Sequence, residues 1–281
     1  MESAAVQRRM EAISAMCEKD LPLAEAALLI AAYRDPSLDP GRYLARLDTM
    51  ADAARALISP EPDFVAVVRG MTHYLASVEG FRGNTDEYAD PRNSFLNEVL
   101  DRRLGIPITL CVLYIEIGSR LGLEARGVSF PGHFLVRFAA DERVVVLDPF
   151  FGGLSLSEAD LVERMRRFVP DEVRARNLLG EVLKGAPKME ILARMLRNLR
   201  EIYAREEKLA EALIAADQAV LFSPGDATAI RDRGSLYERL EVPHAALTDY
   251  RDYLERVPGA PDAAEVHARM AALAAEGSRL N

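Results

Sequence analysis

Several residue types are scarce in this chain, and each scarcity excludes a class of protein. Only two cysteines occur, Cys17 and Cys111, and they lie in unlike sequence contexts. A secreted protein held together by disulfides carries an even, spaced set of cysteines, so this class is excluded and a reducing compartment is expected. Four histidines are present, and no pair of His or Cys residues has zinc-ligand spacing. No glycine-rich phosphate loop precedes a helix. We therefore expect no metal and no other cofactor.

Positive charge and long apolar runs are also lacking. The chain has 35 Lys and Arg against 44 Asp and Glu, a formal net charge of −9. This balance argues against non-specific binding to nucleic acid or to an anionic membrane. The longest uncharged run, Leu104–Ile115, is too short to span a bilayer, and Met1–Glu11 lacks the apolar core of a secretory signal. We expect a cytoplasmic protein, with neither nucleic acid nor membrane as partner. A basic cluster at Arg164, Arg166 and Arg167 is interpreted as a solvated helix face.

Residues 1–80 predict an N-terminal helical region. The composition, 49% hydrophobic and 28% charged, suits a protein with a full buried core. Periodic apolar residues predict helices at Ala24–Tyr33, Arg42–Ile58 and Phe64–Val78. The first is expected to end before Asp35-Pro36, because the residue preceding a proline avoids helical geometry.

Residues 81–177 predict an α+β core. An apolar helix over Ile108–Leu121 is expected to begin behind Pro107, which suits the first helical position, and to end at Gly122. Short β-branched runs follow and predict three strands at Arg126–Phe130, Phe134–Phe138 and Val144–Leu147. Phe150–Gly153 with Leu154 is expected to form a loop. One buried helix followed by strands is typical of an α+β fold.

Residues 188–281 repeat themselves and predict an all-α region. Five pairs share a spacing of 34 residues: Tyr203 and Tyr237, Ala212 and Ala246, Ala216 and Tyr250, Ala219 and Tyr253, and Pro224 and Pro258. This is the tetratricopeptide period, although two unrelated helical hairpins of similar size would be the alternative. Two repeats need further cover, for which a capping helix at Ala263–Glu276 is expected. Leu178–Lys188 is predicted to be a linker.

Three residues of the core form a candidate catalytic set: Cys111, His133 and Asp148. A thiol on a helix, a histidine beside one strand and a carboxylate after the next is an arrangement used in nucleophilic catalysis. The histidine would deprotonate the thiol, and the aspartate would orient the histidine. A free cysteine within an apolar helix is, however, more often a small core residue.

A longer string of motifs points to a family. The segments are Phe81-Arg82-Gly83-Asn84, Asn93-Ser94-Phe95-Leu96-Asn97, Gly105-Ile106-Pro107-Ile108-Thr109-Leu110, Gly127-Val128-Ser129-Phe130-Pro131-Gly132-His133-Phe134 and Asp148-Pro149-Phe150. Together they resemble the SirB-type transglutaminase-like family over most of the chain. The resemblance implies a papain-like transglutaminase core, in which a helix packs on a small antiparallel sheet, followed by tetratricopeptide repeats.

The resemblance also bears on the nucleophile. In active transglutaminase-like enzymes the catalytic cysteine opens the helix, and here Gly105-Ile106-Pro107 stands where Gly-x-Cys would be expected. Cys111 lies one helical turn further on, about 6 Å along the axis. A thiol at that depth loses most of the help that the helix dipole gives to a thiolate. His133 and Asp148 match the family pattern.

Asn93, Asn97 and Thr109 are candidate binding residues near this set. Asn93 and Asn97 are four positions apart and could share one helix face. They would then line a pocket or cap a helix running through Leu104.

Two functions remain open. The first is a non-catalytic or weakly catalytic transglutaminase-like protein that binds a protein partner or regulates through its helical repeats. The alternative is a cysteine-dependent enzyme that transfers an acyl group from an amide or ester through Cys111, His133 and Asp148.

Overall fold

The computed structural model describes residues 3–279, and the chain divides into two compact units, Met1–Ile191 and Leu192–Asn281. The first unit is an α+β core preceded by helices, and the second is all-α, as the sequence predicted. The three predicted regions, 1–80, 81–177 and 188–281, stay a prediction. Their outer ends include residues 1, 2, 280 and 281, which lie outside the described part.

The first unit begins with four helices: α1 (Ser3–Ser14), α2 (Leu23–Arg34), α3 (Pro40–Ala56) and α4 (Phe64–His73). Aspartates start two of them. Asp39 accepts from the Gly41 amide at 2.9 Å, and Asp63 accepts from the Ala66 amide at 2.7 Å, which satisfies otherwise unpaired N–H groups. The helix α4 passes into a π-helical turn at Tyr74–Val78, so the predicted helix is not one regular α-helix. The helix α1 was not predicted.

The central helix of the core begins and ends within one residue of its predicted boundaries. Two short parallel strands, β1 (Arg82–Gly83) and β2 (Leu104–Gly105), and helix α5 (Leu96–Arg102) precede it. The helix α6 spans Pro107–Arg120 with proline at its first turn, and nearly all its side chains are buried. Gly122 follows with φ +82°, the left-handed geometry that ends a helix at glycine.

The sheet has four antiparallel strands in the order β3 (Glu124–Val128), β4 (Leu135–Ala140), β5 (Arg143–Asp148) and β6 (Leu154–Leu156). The helix α6 covers one face, because a Cβ on Gly118 would lie 2.5 Å from the Phe138 ring. The strand β6 pairs Leu154 with Asp148, so the predicted loop is wrong at Leu154. Three residues are too few for an alternating pattern to show in a sequence.

Two helices cover the opposite face of the sheet: α7 (Glu158–Arg166) and α8 (Glu172–Val182). Side chains alternate along a strand, so Leu135 points away from Phe138 and joins Met165 and Leu179 in a second buried cluster. The predicted linker Leu178–Lys188 is therefore wrong over its first residues. Because Leu179 is buried in that cluster, the helix continues through Gly180, a residue type that disfavours helix interiors.

The remaining helices are α9 (Lys188–Arg205), α10 (Leu209–Phe222), α11 (Ala227–Arg239), α12 (Pro243–Arg256) and α13 (Ala263–Arg279). The helices α11, α12 and α13 each pack against the helix before them, and the capping role of Ala263–Glu276 stays a prediction. A Cβ on Gly234 would lie 3.0 Å from Asp249 Cβ and 3.1 Å from the Tyr250 ring, so α11 and α12 approach closely there. The equivalent Arg200 of the first repeat pairs with Asp232 instead.

Candidate functional site

His133 is positioned by a tight turn between β3 and β4. The amide of His133 donates to the carbonyl of Phe130 at 3.0 Å, and Gly132 has φ +68°. Proline at the second position and glycine with positive φ at the third are the requirements of a type II turn. The turn holds the imidazole beside the last residue of β5, with the side chain about one-fifth exposed (19%).

Asp148 ends β5 and is fully buried. Its Oδ1 accepts a hydrogen bond from His133 Nε2 at 2.9 Å. A carboxylate that also accepts from a second donor takes the acceptor role here, so Nε2 is the ring nitrogen that donates. The ring nitrogen that would act as a base is therefore Nδ1. The structure thus brings His133 and Asp148 into direct contact.

Arg164 is a site residue that sequence reasoning missed. Its Nη1 donates to Asp148 Oδ2 at 2.9 Å, so the interpretation of this arginine as part of a solvated face is wrong. A signal was present, because Leu161 and Met165 mark the buried stripe of α7 and Arg164 lies beside it. The buried carboxylate is thereby shared between a histidine and a permanent cation.

Cys111 is the fifth residue of α6, with Pro107 at the first position. The thiol is fully buried, and Sγ donates to the carbonyl oxygen of Phe134 at 3.5 Å. Contact with the residue after His133 places the thiol under the start of β4. Its helical surroundings are Leu110, Val112 and Leu113, all fully buried.

Two residues of α6 itself, Thr109 and Tyr114, carry buried hydroxyl groups. The Tyr114 hydroxyl and the Thr109 hydroxyl have no hydrogen-bond partner among the described residues. Burial raises the pKa of Tyr114, and a charge on Cys111 would raise it further. Thr109, predicted as a binding residue, is itself fully buried. A neutral phenol beside the thiol offers no positive charge to a thiolate.

The two asparagines predicted as binding residues, Asn93 and Asn97, lie in different elements. Asn93 lies in a 3-10 turn, Pro91–Ser94, and Asn97 lies in α5, so the prediction that they share a helix face is wrong. Phe95 separates the two elements in an extended conformation, with φ −97° and ψ 123°. Asn93 Nδ2 donates to the carbonyls of Glu87 and Tyr88 at 2.7 and 3.3 Å. Asn93 therefore fixes the conformation of a loop.

Asn97 lines a separate cavity of about 320 Å³, together with Arg34, Leu38 and Phe95 among others. Neither Cys111, His133 nor Asp148 lines this cavity. The predicted helix through Leu104 ends at Arg102, so neither asparagine caps it.

Over residues 3–279, no three His, Cys, Asp or Glu side chains gather as a metal site requires. Within the same range, no helix combines the length and the apolar character needed to cross a bilayer.

Two family models match the chain. A transglutaminase-like superfamily model matches residues 41–197, and a tetratricopeptide repeat model matches residues 199–271. The first spans more than half of the chain and includes both elements that carry His133 and Asp148.

Similar proteins occur across several bacteria. A UPF0162 protein of Xylella fastidiosa (strain Temecula1) is 40% identical over 241 residues, which is 86% of each chain. A UPF0162 protein of Vibrio cholerae is 31% identical over 252 residues, 88% of this chain and 92% of the relative. Protein SirB1 of Salmonella typhimurium is 30% identical over 203 residues, 71% of this chain and 74% of the relative.

Proposed function

We propose a function from one premise: the chain belongs to the transglutaminase-like superfamily and, within it, to the group of UPF0162 and SirB1 proteins. In this proposal the core is non-catalytic or weakly catalytic. The protein acts as a binding or regulatory module whose tetratricopeptide repeats recruit a protein partner.

The burial of Cys111 is the observation that carries the proposal. An attacking thiol must reach a substrate carbonyl and must ionise easily. Cys111 is fully buried one turn inside α6 and contacts a backbone carbonyl. Burial in apolar surroundings disfavours a thiolate. At the helix start, where the dipole would assist ionisation, the residue is Pro107.

The sharing of the Asp148 carboxylate between His133 and Arg164 also supports a non-catalytic core. In a catalytic triad the aspartate stabilises the imidazolium that forms when histidine takes the nucleophile's proton. Here the second oxygen of Asp148 is bonded to Arg164 at 2.9 Å. The guanidinium offsets much of the negative charge that an imidazolium would need. The pair of His133 and Asp148 then serves to hold the turn before β4 against β5.

The helical repeats supply the binding surface in this proposal. Tetratricopeptide repeats are generally protein-interaction modules. The helices α9, α11 and α13 line two adjacent cavities of about 350 and 390 Å³, and both cavities include Asp232 and Ser235. Adjoining cavities along one set of helices form the kind of groove that accepts a helix or an extended segment of a partner.

A second function is favoured by one observation, the 2.9 Å bond between His133 and Asp148. It orients the imidazole as a cysteine-dependent acyl-transfer enzyme would require, with Nδ1 as the base. In this alternative, Cys111 attacks an amide or ester after α6 rearranges at its start.

An acylation experiment separates the two functions. The Cys17→Ser variant, with or without His133→Ala, is incubated with p-nitrophenyl acetate, and acetylation of Cys111 is followed by mass spectrometry. The proposal predicts slow acetylation at a rate that His133→Ala leaves unchanged. Fast acetylation of Cys111 that falls by about tenfold or more without His133 would establish the acyl-transfer function instead.

A further inference from the structure

A cluster of aromatic rings adjoins His133 on the surface of the core. Phe150 lies at its centre, with its ring centroid 5.9 Å from that of Tyr88, 5.2 Å from that of Phe151 and 6.1 Å from that of His133. All three contacts are edge-to-face, an arrangement that the charge distribution of aromatic rings favours. The cluster is therefore a packed group and not a set of loose side chains.

The outer rings of this cluster are open to solvent, whereas the central one is fixed. Tyr88 is 55% exposed and Phe151 is 58% exposed, while Phe150 is only 8% exposed. A Cβ on Gly83 would lie 2.5 Å from the Phe150 ring, so that ring is seated directly on the backbone of β1. Two half-exposed aromatic side chains on a rigid base are a composition typical of protein interfaces.

The loop that carries Tyr88 is held in one conformation by buried amides. Asn84 Oδ1 accepts from the Glu87 amide at 3.1 Å, and Asn84 Nδ2 donates to Asn93 Oδ1 at 3.0 Å. Asn93 in turn donates to the carbonyls of Glu87 and Tyr88. A surface that is already ordered loses little conformational entropy on binding.

The same loop is acidic. Asp86 and Glu87 are exposed, and neither forms an ion pair in the described part of the chain. The neighbouring Asp90 is already engaged, with Arg92 at 2.7 Å and Arg102 at 3.2 Å. Two carboxylates that form no direct ion pair in the described part of the chain therefore lie next to the exposed Tyr88 ring.

We propose that this surface, formed by Tyr88, Phe150 and Phe151 with Asp86 and Glu87 and here called the aromatic rim, binds a segment of a partner protein. That segment carries a basic side chain next to an apolar one. A Lys or Arg cation is attracted both by an aromatic face and by carboxylates. An apolar neighbour covers the rings. An acidic segment would be repelled by Asp86 and Glu87.

The aromatic rim gives the core a binding role that does not depend on Cys111 or on the helical repeats. Its location follows from the chain, because Phe150 and Phe151 directly follow the Asp148-Pro149 step and face His133 at 6.1 Å each. A segment bound on Phe151 would cover the imidazole. His133 is thus a reporter of occupancy that lies outside the rim itself.

The test uses fluorescein-labelled peptides with the full-length chain. The probe is Gly-Ser-Lys-Phe-Lys-Ser-Gly, and matched peptides replace both lysines by glutamate or the phenylalanine by serine. The fluorescence anisotropy of each labelled peptide is measured while the protein concentration is raised to about 1 mM. A Kd near this value is the weakest affinity that the test counts as binding. The proposal expects the probe to bind at least about fivefold more tightly than either matched peptide, since each feature adds a modest gain.

Protein variants locate the binding. Two variants are each expected to lower the affinity for the probe about fivefold: Tyr88→Ala, and the double variant Asp86→Asn with Glu87→Gln. Tyr88→Phe keeps the ring and is expected to retain binding. Leu57→Ala, at a side chain 54% exposed, and Glu142→Gln, at an exposed turn, are matched controls that leave binding unchanged. The His133 ring resonances shift on addition of the probe to the wild type. Circular dichroism verifies that each variant is folded.

Three results would overturn the proposal. They are no binding of the probe within that range, equal binding of the acidic peptide, and binding that Tyr88→Ala leaves intact. None of these results bears on partner recruitment by the repeats, which the proposed function places elsewhere.

Discussion

On the strand side of the candidate site, His133 and Asp148 meet at 2.9 Å, and Arg164 completes a bonded group. On the helix side, Cys111 is packed inside α6 against the Phe134 carbonyl. The strand side therefore has the geometry that catalysis uses, whereas the helix side has the geometry of a core residue. A histidine–carboxylate pair stabilises the structure in its own right, so its presence marks the fold more securely than it marks an activity.

The largest expected effect is on the strand side. Asp148→Ala removes the partner of both His133 and Arg164 and leaves a partly buried guanidinium without its carboxylate. We expect the free energy of unfolding to fall by about 3 kcal/mol, as when one member of a buried ion pair is deleted. Urea denaturation measures the loss. Glu163→Gln, on the exposed face of α7, is the control and should change stability by less than about 0.5 kcal/mol.

A loss of under about 1 kcal/mol in Asp148→Ala would mean that the strand-side group adds little to stability. The pair would then need a functional explanation, and the contrast between the two sides would fail.

The next effect concerns the helix side. Cys111→Ser places a stronger hydrogen-bonding group in a fully buried site, and we expect it to destabilise the protein by about 2 kcal/mol. Cys111→Ala should cost about 1 kcal/mol, because only lost packing is involved. Thermal unfolding of both variants gives the comparison. Cys17→Ser, at the exposed cysteine, is the control. A Cys111→Ser variant as stable as the wild type would show that water reaches the side chain at position 111.

The group around Asp148 can be divided further. Arg164→Met keeps the apolar stem on α7 and removes the bond to Asp148 Oδ2. We expect a loss of about 1.5 kcal/mol, the value of a hydrogen bond to a charged partner. A double-mutant cycle with Asp148→Asn tests whether the loss arises from that bond. Additive losses would place the effect of Arg164 elsewhere.

The smallest expected effect has the opposite sign. Tyr114→Phe removes a buried hydroxyl that has no protein partner in the described residues, so we expect stability to rise by up to about 1 kcal/mol. Denaturant unfolding measures it. A clear loss of stability would reveal a hidden polar contact beside Cys111, and the helix side would then resemble a working site more than a packed core.

Local patterns account for what the sequence predicted correctly. Pro107 and Gly122 bound α6 because each suits one helix end, and the spacing of 34 residues from Tyr203 to Tyr237 follows from a helical hairpin that repeats. The missed features depend on contacts between distant residues. Arg164 reaches Asp148 across 16 positions, and α8 owes its burial to the sheet. The loop amide network at Asn93 likewise depends on tertiary structure.

The most direct measurement of the central claim compares the two cysteines in one sample. Native wild-type protein is treated with iodoacetamide, and modification of each cysteine is followed by mass spectrometry, then repeated in urea. Cys17 is exposed and Cys111 is buried. The account predicts that Cys17 reacts at once and that Cys111 reacts at least about a hundredfold more slowly until the chain unfolds. Modification of native Cys111 as fast as that of Cys17, at a pH below the value of about 8.5 for a free thiol, would contradict it.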